Sequence, residues 1–391
     1  MNNQDEKYEY DGDLSDDIEK EQDDDSILLM EKPFDPTLIK IETKTPSLDT
    51  LIKRVRRESI QMDTSNYFQR NDDLWDKTKQ SRLIESILIR FPLPAFFFDA
   101  SDDNNWLIVD GLQRLSSIRN FVLNKQPLTN LEFLTHLNGL KWDDLPNDMQ
   151  RVVEEAQVVI YKIMPGTPAD VKFNIFKRIN TGGLVLEAQE IRHALFQGKP
   201  SKFVTDLAQT KEFKEATQHK IKTRRMLDRD FVNRFLSFYI LNVENYGSKE
   251  YGQDLDTFMS KAMAAIYDKT EEELQYIKFQ FMESMKLAKY IFGREAFRKV
   301  HHSSYKRIPP INKALFDAIS TQFALLSDEE RNLLKKQKVK FKKSLRQTLA
   351  DNNTNNTFFK SLTSATGDKK RTQDRHEIVK VLIQALITNE L

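Results

Sequence analysis

The spacing of apolar and polar positions changes character near residue 200, and the predicted elements change with it. From Thr78 to Arg90, Leu83, Ile84, Ile87 and Leu88 fall on one helical face, and Phe91-Pro92-Leu93-Pro94 ends that helix. Ala95 to Asp99 reads as a short buried strand, Ser101 to Asn105 as a polar turn, and Trp106 to Val109 as a second strand. The chain then turns at Asp110-Gly111 into a helix through Phe121. Ile60 to Met62 and Gln157 to Ile163 read as further strands. Pro168 opens a helix with Val171, Ile175 and Ile179 on its buried stripe. Asn180-Thr181-Gly182-Gly183 ends it, and another helix runs from Glu187 to about Gln197.

Beyond residue 200 the strand signals vanish. Asp230 to Leu241, Leu255 to Ile266, Glu272 to Phe292, Ile311 to Leu326 and Glu329 onward are amphipathic helices, with Ser327 and Glu330 as a capping box for the last. Ser26 to Leu48 carries Pro33, Pro36 and Pro46 and reads as extended. The expected fold class is α+β: an α/β domain over 26–200, then an all-helical domain over 201–391.

Composition sharpens this picture. Only 11 Gly and 12 Pro in 391 residues favour long regular elements over a turn-rich β architecture. With 0 Cys, disulfides, thiol catalysis and thiolate metal sites are excluded. No apolar run reaches the roughly 18 residues of a membrane helix, and the acidic N-terminus is not a signal peptide, so a cytoplasmic protein is expected. The net charge of +1 conceals an asymmetry: residues 1–25 hold twelve Asp or Glu and two Lys, a local −10, which leaves +11 on the rest. That acidic stretch is too poor in large apolar side chains to order itself and reads as a disordered tail, either solubilising or lying over a basic surface.

Three segments carry candidate chemistry. In the first, a buried strand runs through Asp110 and Gly111 into the helix of Gln113 and Arg114. Unpaired amides and the helix dipole suit an anion there, Gly111 permits close approach, and Arg114 offers a planar fork of donors. The plainer alternative is a strand–turn–helix junction with Asp110 as N-cap. The second segment, Tyr67 to Asp76, sets Gln69 and Arg70 beside Trp75; the third sets Asn180, Thr181, Gly182 and Gly183 before Gln189 to His193.

In this order the three segments resemble the N-terminal domain family of GmrSD-type modification-dependent restriction systems, with Gln-Arg…Trp, Asp-Gly-Gln-Gln-Arg-Leu and Asn-Thr-Gly-Gly stretches. Arg225 to Phe235 resembles the helix that follows in that family. The resemblance implies a ParB/sulfiredoxin-like fold and a regulatory protein of phage defence that binds a nucleoside triphosphate, with hydrolysis and Mg2+ as its further expectations. It casts Asp110, Gln113 and Arg114 as catalytic, and Gln69, Arg70, Gly111, Asn180, Thr181, Gly182 and Gly183 as nucleotide-binding. Leu112 departs from the family, which has Gln there; if that Gln positions water, this chain binds with weak hydrolysis, and if it faces the core, Leu112 is harmless.

The six His are scattered and give no nuclease ligand set, so DNA cleavage is assigned to a separate nuclease partner. The helical half is basic instead. Arg331 to Gln347 includes Lys335, Lys336, Lys338, Lys340, Lys342, Lys343 and Arg346, and Lys369, Lys370, Arg371 and Arg375 follow. Such clusters neutralise DNA phosphates, or simply form solvated helix faces. A non-enzymatic, ParB-like DNA-binding module and a standalone nuclease with an unrecognised site stand as alternatives.

Overall fold

A computed structural model describes residues 17–19, 36–62, 75–123, 125–179, 187–252, 254–301, 308–350 and 357–388. The chain divides into two compact units, Lys32–Leu195 and Phe196–Leu391, and residues 17–19 belong with the second.

The first unit contains β1 (Ile41–Lys44), α1 (Leu48–Arg56), β2 (Ile60–Gln61), α2 (Lys77–Leu88), β3 (Phe96–Asp99), β4 (Trp106–Asp110), α3 (Leu112–Val122), α4 (Asn147–Glu155), β5 (Ile160–Ile163), α5 (Ala169–Ile179) and α6 (Ala188–Leu195). Its five strands form one mixed sheet in the order β1-β5-β3-β4-β2. β1 pairs antiparallel with β5 and β3 antiparallel with β4, whereas β3–β5 and β2–β4 are parallel. Both faces of β4 are covered, which explains its unbroken apolar run. Trp106 and Ile108 join a core with Leu51, Ile84 and Leu115, while Leu107 and Val109 join another with Phe173, Phe176 and Ile191.

Two segments add detail that the sequence reading does not give. The stretch read as extended contains β1 and ends where α1 begins: Ser47 caps α1, its Oγ accepting from Thr50 N, one residue after Pro46. Pro46 therefore lies at the end of the extended stretch, just before the helix cap, within the bounds read from the sequence. The second is α4, which contains only one buried residue, Val153, and so lacks a strong apolar stripe.

The second unit is helical over its described residues: α7 (Lys199–Ala208), α8 (Lys211–Ala216), α9 (Leu227–Leu241), α10 (Leu255–Asp268), α11 (Glu271–Phe292), α12 (Lys313–Ala324), α13 (Asp328–Lys336), α14 (Lys338–Ala350), α15 (Thr357–Thr363) and α16 (Lys369–Ile387). The helix expected from Glu329 onward is four helices. The predicted capping box is present, with Ser327 accepting from Glu330 N and Glu330 accepting from Ser327 N. Packed aromatic rings, among them Phe213, Phe231, Phe235, Phe281 and Phe316, fill the centre. Among them lies an ion triad. Asp317 on α12 accepts from Arg234 of α9 at 2.8 and 2.9 Å and from Arg375 of α16 at 3.3 Å, and no member is more than 3% exposed.

Candidate functional site

The turn between β4 and α3 is built around a glycine that the backbone requires. Gly111 has φ +99° and occupies the N-cap of α3 without a side-chain cap. A Cβ at this position would stand 2.4 Å from Phe96 Cδ1, so both conformation and space exclude larger residues. Asp110 is the last residue of β4 and does not cap the helix.

Arg114 turns back towards the strand it follows. Its Nη2 donates to Asp110 Oδ2 at 2.8 Å and to the Ala95 carbonyl at 3.1 Å, and its Nη1 donates to the Pro94 carbonyl. The guanidinium lies 4.6 Å from the centre of the Phe96 ring. Its side chain is 12% exposed and that of Asp110 is 39% exposed. Burial pulls the Arg114 pKa below its ordinary value, and the Asp110 carboxylate opposes that pull. Three of the five guanidinium N–H groups are thus engaged in fixing the turn. The arginine that the sequence casts as a phosphate fork is first of all a brace, and the more exposed partner is Asp110.

Gln113 joins the second segment to this turn: its Oε1 accepts from Trp75 N at 3.2 Å. Trp75 is half-buried, with Lys79 Nζ 4.6 Å from the ring centre. Gln69, Arg70, Asn180, Thr181, Gly182 and Gly183 lie outside the described residues. The helix after the third segment, α6, buries Gln189, Glu190, Arg192 and His193, with Arg192 Nε donating to Gln189 Oε1 at 2.9 Å.

Two polar arrangements in this unit escaped sequence reasoning. Lys172 of α5 pairs with Asp99, at the end of β3, at 3.0 Å, and Ser101 bonds to both. Glu85 of α2, 2% exposed, accepts from the backbone amides of Glu132, Phe133 and Leu134 at 3.0, 2.7 and 2.7 Å. Burial pushes the Glu85 pKa up, but the three amides outweigh it and hold the carboxyl below its usual range. A charged residue three positions before a loop gives no sequence signal of this kind; a buried Glu on the stripe of α2 is its only trace.

The basic surface is smaller than the count of charges suggests. Arg331 and Arg375 are interior: Arg331 donates to Asp328 and to the Ala324 carbonyl, and Arg375 belongs to the Asp317 triad. Both face inward because their helices place them on buried stripes, Arg331 with Leu334 and Arg375 with Val379 and Ile383. Lys342 and Arg346 hold Glu295 at 3.0 and 2.7 Å, and Arg371 bonds to Ser364. Lys335 and Lys338 are half-buried, Lys338 lying over the Tyr290 ring. Lys336, Lys340, Lys343, Lys369 and Lys370 are exposed. A cavity of about 530 Å³ opens elsewhere in this unit, with Phe238, Thr321, His376 and Ile383 in its wall.

No helix among the described residues is long and apolar enough to cross a membrane. Residues 48–197 match the model of the GmrSD restriction endonuclease N-terminal domain family. That stretch contains the whole of the Gly111 turn, and it is this stretch that is similar to the N-terminal domain of a restriction endonuclease. No curated protein and no solved structure matches the chain.

Proposed function

We propose that this GmrSD-type N-terminal domain binds a nucleoside triphosphate at the Gly111 turn and serves as the regulatory part of a restriction system, with cleavage left to a separate nuclease. The observation that carries this reading is the uncapped start of α3 at a left-handed glycine. Helix starts of that kind offer amide hydrogens and a positive dipole end to phosphate. In this reading the backbone grips the phosphates, while the Arg114–Asp110 pair fixes the turn and Gln113 ties it to Trp75. Among the described residues no cluster of three or more His, Cys, Asp or Glu is placed to hold a metal. Mg2+ would arrive on the nucleotide, the common situation for a cation that keeps several waters. Gln69, Arg70, Asn180, Thr181, Gly182 and Gly183 are proposed as further contacts.

The test is a panel of ATP, GTP, CTP and UTP, read for binding and phosphate release with and without DNA, on wild type, Asp110→Asn and Arg114→Ala. At least one nucleotide binds the wild type, and Arg114→Ala loses at least tenfold in affinity while keeping its secondary structure. Absence of binding by all four, or unchanged affinity in Arg114→Ala, overturns the reading.

A second reading is favoured by the exposed lysines of α13, α14 and α16, which belong to helices packed on one another. In it, the helical unit holds DNA by its backbone. Affinity then falls steeply with salt, ignores the nucleotide, and drops when Lys336, Lys340, Lys343, Lys369 and Lys370 are neutralised together.

A further inference from the structure

Among the described residues, positions 17–19 of the acidic N-terminal stretch contact the helical unit. Ile18 forms a parallel bridge to Ile311, which forms an antiparallel bridge to Arg298. Ile311 N donates to the Asp17 carbonyl at 3.0 Å, and Glu19 N donates to the Ile311 carbonyl at 2.9 Å. Three residues thus add one rung of strand to the fully buried Ile311.

Charge fixes the register of that rung. Glu19 accepts from Lys299 Nζ at 2.6 Å and from Asn312 Nδ2 at 3.2 Å, and Asp17 pairs with Lys220 at 3.1 Å. Lys299 is 8% exposed and sits 5.1 Å from the Phe359 ring centre. Asn312 is the N-cap of α12; its Oδ1 accepts from Leu315 N and its Nδ2 also donates to the Leu362 carbonyl at 2.8 Å. The carboxylate of Glu19 therefore meets a held amide, a buried ammonium and the positive end of a helix. Arg298 is also buried, which pulls its pKa below the ordinary value, and the Asp17 carboxylate opposes that pull.

Such an arrangement is more than a tail lying on a basic surface. A loosely attracted acidic tail would use exposed lysines and side chains alone, and it would leave its backbone free. Here the backbone is read by hydrogen bonds, and the alternate side chains meet the buried Lys299 and the exposed Lys220, as in recognition by strand addition. We infer that the notch formed by Lys220, Arg298, Lys299, Ile311 and Asn312 is a binding site for an extended acidic–aliphatic–acidic peptide segment, which the chain fills with its own Asp17-Ile18-Glu19. A site that is filled from the same chain is also open to competition by a partner's strand of the same chemistry. The covalent link within one chain raises the effective concentration that such a partner must exceed.

The experiment uses the full chain with Asp17→Lys and Glu19→Lys, which vacates the notch, and a fluorescein-labelled peptide of residues 11–25. The peptide binds the variant at least tenfold more tightly than it binds wild type, whose notch is already filled. A peptide with Lys at positions 17 and 19 does not bind the variant. Equal binding to wild type and variant, or equal binding of both peptides to the variant, overturns the inference. The hydrogen-exchange rate of the Ile311 amide gives an independent reading: it rises in the variant and returns to the wild-type rate when the acidic peptide is added. An Ile311 amide equally protected in both proteins counts against the notch.

Discussion

Two of the arginine–aspartate arrangements among the described residues share a contact distance of 2.8 Å but have different surroundings. In the helical unit, Asp317 joins Arg234 and Arg375 across three helices with almost no exposure. In the α/β unit, Asp110 and Arg114 are four residues apart, and the carboxylate is 39% exposed. The first pairing ties together elements distant in sequence and has no access to a ligand. The second shapes a local turn, and its carboxylate still faces solvent. Distance alone does not separate a structural pair from a candidate site; burial and sequence separation do.

The comparison is broken most strongly at Asp317. Removing its carboxylate leaves two buried guanidinium groups without a counter-charge, and breaking a buried pair in this way costs roughly 3–5 kcal/mol. Asp317→Ala should therefore unfold the helical unit or lower its chemical-denaturation midpoint sharply. A midpoint within experimental error of wild type would show that the triad is not what holds α9, α12 and α16 together.

An effect of comparable origin but smaller size is expected at Glu85. Glu85→Ala strands three amides of the 132–134 loop and should cost about 2–3 kcal/mol in the α/β unit. Hydrogen exchange at the Phe133 and Leu134 amides checks it. Exchange as slow as in wild type would mean that these amides find other partners.

His376 gives the comparison a pH axis. Burial, then the neighbouring Arg375 charge, depress its pKa from 6.5 to about 3. Its Nδ1 lies 2.8 Å from the Thr372 carbonyl, which can only accept, so this nitrogen carries the proton of a neutral ring. Below 6.5 the unfolded chain binds a proton that the folded chain refuses. The stability from this residue is therefore complete above pH 6.5 and declines as the pH falls towards 3, by at most about 1.4 kcal/mol per pH unit. His376→Phe should flatten the acid limb of the stability profile of the helical unit. An unchanged limb would assign that slope to carboxylates.

The smallest stability effect belongs to the pair nearest the candidate site. Asp110→Asn loses a half-exposed i,i+4 ion pair, worth no more than about 1 kcal/mol. Its thermal midpoint should stay close to wild type while nucleotide binding changes. A large loss of stability would place Asp110 with Asp317 as a structural residue.

Legibility followed the strength of local patterns. β3, β4 and β5 were visible because buried strands read as apolar runs, and the Gly111 turn because glycine follows a strand and precedes a helix. β1 was not visible: Ile-Glu-Thr-Lys is an edge strand with no buried residue. The strand order, with β5 between β1 and β3, depends on pairings distant in sequence and has no local trace. Charge counting failed for Arg331 and Arg375 because a count has no direction, although the spacing of Arg375, Val379 and Ile383 placed that arginine on an apolar stripe. Asp110, Gly111, Gln113 and Arg114 were found as a group, but the engagement of Arg114 with Pro94 and Ala95 required the folded chain.

One benzene ring lies under both halves of the β4–α3 turn. Phe96 blocks any side chain at position 111 and underlies the guanidinium at position 114. A heavier residue in place of the glycine would tilt the ring and unseat the arginine, and a smaller residue in place of the ring would leave the arginine without its platform. Because φ +99° holds position 111 to glycine whatever space the ring leaves, positions 96 and 114 should tolerate change only as a pair, and a library that varies those two together beside an unchanged Gly111 should recover folded proteins that single-site libraries miss.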